Sequence, residues 1–121
     1  MEWKFSTDTP IYTQLVEKLR SAIASGAIPP GQRMPAVREL AVEAAVNPNT
    51  VQRAYLELER TGLVYVQRAS GRYATEDPAL IASAREQLAR ERTVRYLQDM
   101  DALGYGKEEL FQLIQNLKEE V

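Results

Sequence analysis

The stretch from Met34 to Tyr73 places short elements and tight breaks in an order that few folds accommodate. Pro35 opens a helical segment whose inward side is Val37, Leu40, Ala41 and Ala44. A break at Ala45-Val46-Asn47 follows, with Asn47 suited to cap a helix and Pro48 suited to its first position. The next helix runs from about Pro48 to Thr61 and stops at Gly62. Leu63-Val64-Tyr65-Val66 and Tyr73-Ala74-Thr75 then read as short strands around Arg68-Ala69-Ser70-Gly71. Helix, tight turn, helix and hairpin predict a winged helix-turn-helix, mainly α with one small β-hairpin.

A further helix is expected ahead of this unit. Asp8-Thr9-Pro10 reads as a polar cap followed by Pro at the first helical position. Tyr12, Leu15, Val16, Leu19 and Ile23 fall on one face, and Ser25-Gly26 closes the helix before the rigid turn Pro29-Pro30-Gly31. Beyond the hairpin, Asp77-Pro78 restarts helix with only intermittent apolar positions, and Gly104-Tyr105-Gly106 breaks it. Leu110, Phe111, Leu113, Ile114, Leu117 and Val121 mark a last amphipathic helix. The expected organisation is a reader over residues 1–77 and a short helical segment over 78–121. A helix as short as the last one is marginal alone in water, so it must pack on the preceding helix, on a second chain, or on both. The last arrangement, a small intertwined dimer, is the one expected.

The helix from Pro48 carries the chemistry. With Val51 at the inward pole, the 100° turn per residue brings Ala54, Tyr55 and Leu58 to the same side. Asn49 and Arg53 then fall near the opposite pole, flanked by Thr50 and Gln52. Base edges in a major groove ask for forked donors and acceptors: Arg suits guanine, and Gln or Asn suits adenine. The same helix end favours phosphate through its free N–H groups and dipole. Taken alone, three such residues would more often be a solvated face. The capped helix before them and the hairpin after them shift the balance to DNA. Leu56 lies towards the outer side, where it would pack under the hairpin or on a neighbouring subunit.

Charge and composition narrow the alternatives. The chain has 121 residues, neither Cys nor His, and a net charge of −2. Residues 1–78 hold nine basic and nine acidic side chains, and residues 79–121 hold six and eight, so the acidic excess lies outside the expected reader. Local clustering rather than the total sets the field that DNA meets. Without His, Cys or a Gly-rich phosphate loop, an enzyme is not expected, and neither is a metal or other cofactor. No run approaches the roughly 20 apolar residues that span a bilayer. The N-terminus has no apolar signal run, so a cytoplasmic protein without membrane contact is expected. Arg85, Arg90, Arg92 and Arg95 alternate with acidic residues and read as a solvated, ion-paired face. The competing reading is a winged helix that docks on protein without specific DNA binding.

Pro10-Ile11-Tyr12, Gln14-Leu15, Gly26, Pro30-Gly31, Pro35, Arg38-Glu39-Leu40-Ala41, Thr50-Val51, Ala54-Tyr55, Leu58-Glu59, Gly62-Leu63 and Gly71 follow one another in a pattern about 65 residues long. This pattern resembles the GntR family of bacterial transcriptional regulators. The run Val46 to Tyr55 looks most like the YtrA subfamily, whose short helical tail fits the chain length. The resemblance implies a dimeric repressor on a roughly palindromic operator, joined through the C-terminal helices and controlling a transporter or cell-envelope-stress operon. It implies that Arg38 contacts phosphate, that Asn49, Thr50, Gln52 and Arg53 lie at the groove, and that Arg68, Ala69, Ser70 and Gly71 form the wing tip near the minor groove or flanking phosphates. Arg68 and Arg72 are read as DNA contacts rather than as charges that only solubilise a hairpin edge. Ala36 stands where the family often has Ser, and Ala69 where its wing usually has Gly. The sequence names no small-molecule effector.

Overall fold

A computed structural model describes residues 1–121, in the order α1 Ile11–Ser25, α2 Val37–Ala44, α3 Pro48–Arg60, β1 Val64–Gln67, β2 Gly71–Ala74, α4 Pro78–Ala102 and α5 Lys107–Leu117. Two compact units result, Met1–Glu86 and Gln87–Val121. No helix is long and apolar enough to cross a membrane.

In the first unit α3 is the central element, packing on α1, α2 and β1. Leu15, Leu19, Ile23, Leu40, Val51, Tyr55, Leu58 and Val64 are its fully buried large side chains. Each stabilises the fold by about 1.5–3 kcal/mol through removal from water. The inward set expected on α3 is all buried: Val51, Ala54, Tyr55 and Leu58. Asn47 caps the helix as its composition predicts, its Oδ1 accepting the Asn49 N–H at 2.8 Å.

Two expected helix starts shift. Pro10 is the capping residue of α1 rather than its first helical residue, with ψ of 143°. Asp8 and Thr9 supply no cap; the Gln14 side chain orders this entry instead. Its Oε1 accepts the Ser6 N–H at 2.8 Å, and its Nε2 donates to the Ser6 and Thr9 carbonyls at 2.9 and 2.8 Å. Likewise α2 begins at Val37, with Ala36 capping it and making no side-chain hydrogen bond. Pro35 stays outside, where its carbonyl accepts the Tyr55 hydroxyl at 2.5 Å. Burial pushes the Tyr55 pKa up against the opposing Arg72 charge, so the hydroxyl remains a proton donor.

The hairpin pairs Val64 with Ala74, Tyr65 with Tyr73, Val66 with Arg72 and Gln67 with Gly71. Val64 and Ala74 face the core, and the Tyr65 and Tyr73 rings stack on the other side at 5.7 Å. The chain before α2 adds a short third line: the Met34 N–H donates to the Arg72 carbonyl at 2.7 Å, and the Ala74 N–H to the Gln32 carbonyl at 2.9 Å. Thr75 and Asp77 then start α4, as Thr75 Oγ1 accepts the Asp77 N–H at 3.0 Å and Asp77 Oδ1 accepts the Ala79 N–H at 2.9 Å. The first unit reaches past Asp77 because this opening of α4 packs back, with Leu80 set against Gly62 and Ala84 buried.

The second unit holds the rest of α4, the break at Gly104 and α5. Gly104 takes a φ of 91°, and Glu109 Oε1 accepts the Gly106 N–H at 3.2 Å to start α5. Leu110 is buried beside an open hollow of about 330 Å³ lined by Val94, Leu97, Asp101, Tyr105 and Lys107. The remaining apolar face of α5 is exposed: Phe111 by 67%, Ile114 by 50% and Leu117 by 40%.

Candidate nucleic-acid interface

The outward side of α3 presents Asn49, Gln52 and Arg53 to solvent, with Thr50 half-buried. Their backbone is fixed by the buried set on the opposite side and by the Asn47 cap, so the polar groups stand on a rigid helix. The two arginines of α3 are held differently. Arg60 is clamped by Glu57, Nη2 to Oε1 at 2.6 Å and Nε to Oε2 at 2.9 Å. These bonds hold the Glu57 carboxyl below its ordinary range. Arg53 instead lies over the Tyr12 ring of α1, its guanidinium carbon 4.1 Å from the centroid. Leu56 is 52% exposed.

Arg38 is exposed in the first turn of α2. The N–H groups of a first helical turn lack intrahelical partners, and an anion there meets them together with the positive end of the dipole. An arginine beside them completes the donor set that a phosphate takes.

The hairpin tip Arg68-Ala69-Ser70 is exposed. The Ser70 N–H donates to the Gln67 carbonyl at 3.1 Å, and the Ser70 and Tyr73 hydroxyls are hydrogen-bonded. Ala69 has a φ of 64°, the left-handed conformation that glycine takes without cost. The methyl group makes this conformation about 1–2 kcal/mol less favourable, yet it does not prevent the turn. Gly71 has a φ of 122°, and a Cβ there would come within 3.2 Å of the Arg33 Nε.

Arg72 occupies a different place from Arg68 and Ser70. Its strand partner is Val66, on the side of the hairpin that Val64 and Ala74 turn to the core. Its Nε lies 3.6 Å from Glu59 Oε1, and its guanidinium carbon lies 5.1 Å from the Tyr55 ring centroid. The side chain is 22% exposed. Arg72 is thus turned onto α3 rather than displayed towards DNA beside Arg68, as was expected. Arg33 was not anticipated: it is exposed beside Gly71, brought there by the bridge between Arg33 and Tyr73. Its sequence surroundings, Gly31-Gln32-Arg33-Met34, have no strand periodicity, so only the tertiary pairing reveals it.

No group of three or more acidic, His or Cys side chains is arranged to hold a metal ion. Residues 11–73 match the family described as bacterial regulatory proteins, gntR family. Over 119 residues the chain is 34% identical to an uncharacterized HTH-type transcriptional regulator of Bacillus subtilis, YhcF, covering 98% of each. It is 32% identical to the HTH-type transcriptional repressor YtrA of the same organism, covering 95% of this chain and 89% of YtrA. Among solved structures, a GntR family transcriptional regulator from Listeria monocytogenes superposes with a TM-score of 0.84 at 37% identity, covering 93% of this chain and 98% of that one. AraR(DBD) in complex with operator ORX1 superposes with a TM-score of 0.56 at 29% identity, covering 62% of this chain and 96% of that one.

Proposed function

This chain belongs to the gntR family of bacterial regulatory proteins and is a DNA-binding transcriptional regulator, and we propose that it acts as a cytoplasmic, dimeric repressor on a roughly palindromic operator. One observation carries the reading of DNA: α3 buries its apolar side completely and turns Asn49, Gln52 and Arg53 outward on a capped, rigid frame. Gln52 and Asn49 carry amide forks for adenine, Arg53 a guanidinium fork for guanine, and Thr50 a hydroxyl at the helix edge. Arg38 binds a flanking phosphate. Arg68, Ser70 and Gly71 lie along the backbone or minor groove at the wing, and Arg33 joins them from the segment that runs beside Gly71. Arg72 supports the wing from below by pairing with Glu59.

Repression rests on likeness to the repressor YtrA, and control of a transporter or cell-envelope-stress operon on the resemblance of Val46 to Tyr55 to the YtrA subfamily. Dimerisation rests on the apolar side of α5, which one chain leaves in water. A two-fold dimer presents two α3 helices to half-sites about one DNA turn apart.

Selection of random duplex DNA by the purified protein at near-physiological salt tests the proposal. An inverted repeat of fixed spacing is the expected product; absence of any enriched sequence would overturn it. With that operator in hand, Gln52→Ala is expected to relax preference at one base pair at a cost of about 1–3 kcal/mol, seen in a panel of single-base variants. Arg38→Ala should weaken all sequences alike and reduce the slope of log affinity against log salt by about one. A changed base preference in Arg38→Ala would reverse the assignment of these roles.

A further inference from the structure

Tyr12 belongs to α1, on a face that lines the groove against α3 with Val16 and Glu57, and is half-buried there. Its ring thus lies in the groove between the two helices. The Arg53 guanidinium carbon sits 4.1 Å from the ring centroid, well inside the range of a cation–π contact. Arginine stacks its planar guanidinium on aromatic faces, and the 4.1 Å separation is close enough for that arrangement. In that arrangement the N–H donors point outward in the guanidinium plane, where a ring face cannot consume them. A carboxylate partner would do the opposite, as Glu57 does to Arg60 by taking two of its donors.

We propose that Tyr12 is a positioning residue for base reading: it holds the Arg53 guanidinium flat against α1 and presents its donor edge, already oriented, to a guanine. The inference rests on the reading of α3 as the DNA-facing helix. Two consequences distinguish it from a merely structural tyrosine. Holding a long arginine before binding removes part of the side-chain ordering that recognition otherwise requires. The benefit reaches only the base pair that Arg53 reads, so Tyr12 acts on specificity without touching DNA. The ring, not the hydroxyl, does the holding.

The test uses the full-length protein and its selected operator. Tyr12→Leu keeps apolar volume and removes the π face. It is expected to lower operator affinity about three- to tenfold, with the loss confined to the base pair that Arg53→Ala also releases. Tyr12→Phe should stay within about twofold of the parent protein, because the π face that holds the cation is kept. In an Arg53→Ala background, Tyr12→Leu should change affinity no further, since the two residues act as one unit. Independently of any variant, the Arg53 side-chain Nε–H proton of the free protein should show an upfield ring-current shift in NMR spectra. Additive losses, an unchanged affinity in Tyr12→Leu, or an unshifted Nε–H proton would each overturn the role of Tyr12. These outcomes are separable from failure of the DNA reading itself, in which the parent protein would show no operator preference and Arg53→Ala would change nothing.

Discussion

Replacing Phe111 and Ile114 together by Asp is expected to produce a monomer that binds a full palindromic operator about 10²–10⁴ times more weakly while retaining its affinity for a single half-site. The size of the effect follows from where these side chains lie. Helix α5 has only 11 residues, a length at which an isolated helix is marginal. Leu110 is its one buried side chain, so most of its apolar face is left in water. Phe111 and Ile114 lie three apart on that face and are 67% and 50% exposed. In a two-fold contact each residue is used twice, and burying each side chain stabilises the assembly by about 1.5–3 kcal/mol. An aspartate at the same place adds an unpaired charge that the contact would have to desolvate. Losing the proposed dimer would remove the second half-site's contribution, which acts through effective concentration rather than through new contacts. Because both residues are exposed in the single chain, thermal unfolding of the first unit should be unchanged. Sedimentation velocity gives the mass, and titration against full and half operators gives the two affinities. A double variant that remains dimeric would place the interface elsewhere.

The second large effect concerns the support of the wing. Glu59→Ala is expected to destabilise the fold by about 2 kcal/mol, read from the urea midpoint. The pair it breaks joins α3 to β2, Arg72 Nε to Glu59 Oε1 at 3.6 Å, with both side chains about four-fifths buried. Removing Glu59 leaves a guanidinium facing the Tyr55 ring with no counter-charge, which costs more than the pair itself contributes. Combining Glu59→Ala with Arg72→Met should recover most of the loss, because Met retains packing against Tyr55 and needs no partner. Arg72→Met should also leave the salt dependence of DNA binding unchanged, whereas a phosphate-contacting Arg72 would lower it by about one unit. A loss below about 0.5 kcal/mol in Glu59→Ala would mean that solvent screens the pair as it does at a surface.

Much of this arrangement is legible in the sequence because it is local. The inward set of α3 follows from helical spacing alone, and the Asn47 cap from the chemistry of one side chain. The departures have one origin, namely that neighbours in space outrank neighbours in sequence. Pro10 and Pro35 read as helix starts, yet each sits just outside its helix: Gln14 orders the chain near Pro10, and Tyr55 takes the Pro35 carbonyl. Arg68 and Arg72 flank the same tip and look equivalent in one dimension. Only the strand register, with Arg72 opposite Val66, shows that one is displayed and the other folded onto α3. Arg33 and the Tyr12–Arg53 stack join residues about 40 apart in the chain, and no spacing rule connects them.

The buried Tyr55 has a mechanical consequence. It grows from α3, its hydroxyl grips the chain leading into α2, and its ring lies beneath the Arg72 guanidinium of the wing. One side chain thereby ties together the three parts proposed to meet DNA, which opposes their tilting or sliding independently. A reading head built in this way docks as a preformed solid. New operators then come from exchanging the exposed letters on α3, while the scaffold beneath them is inherited whole.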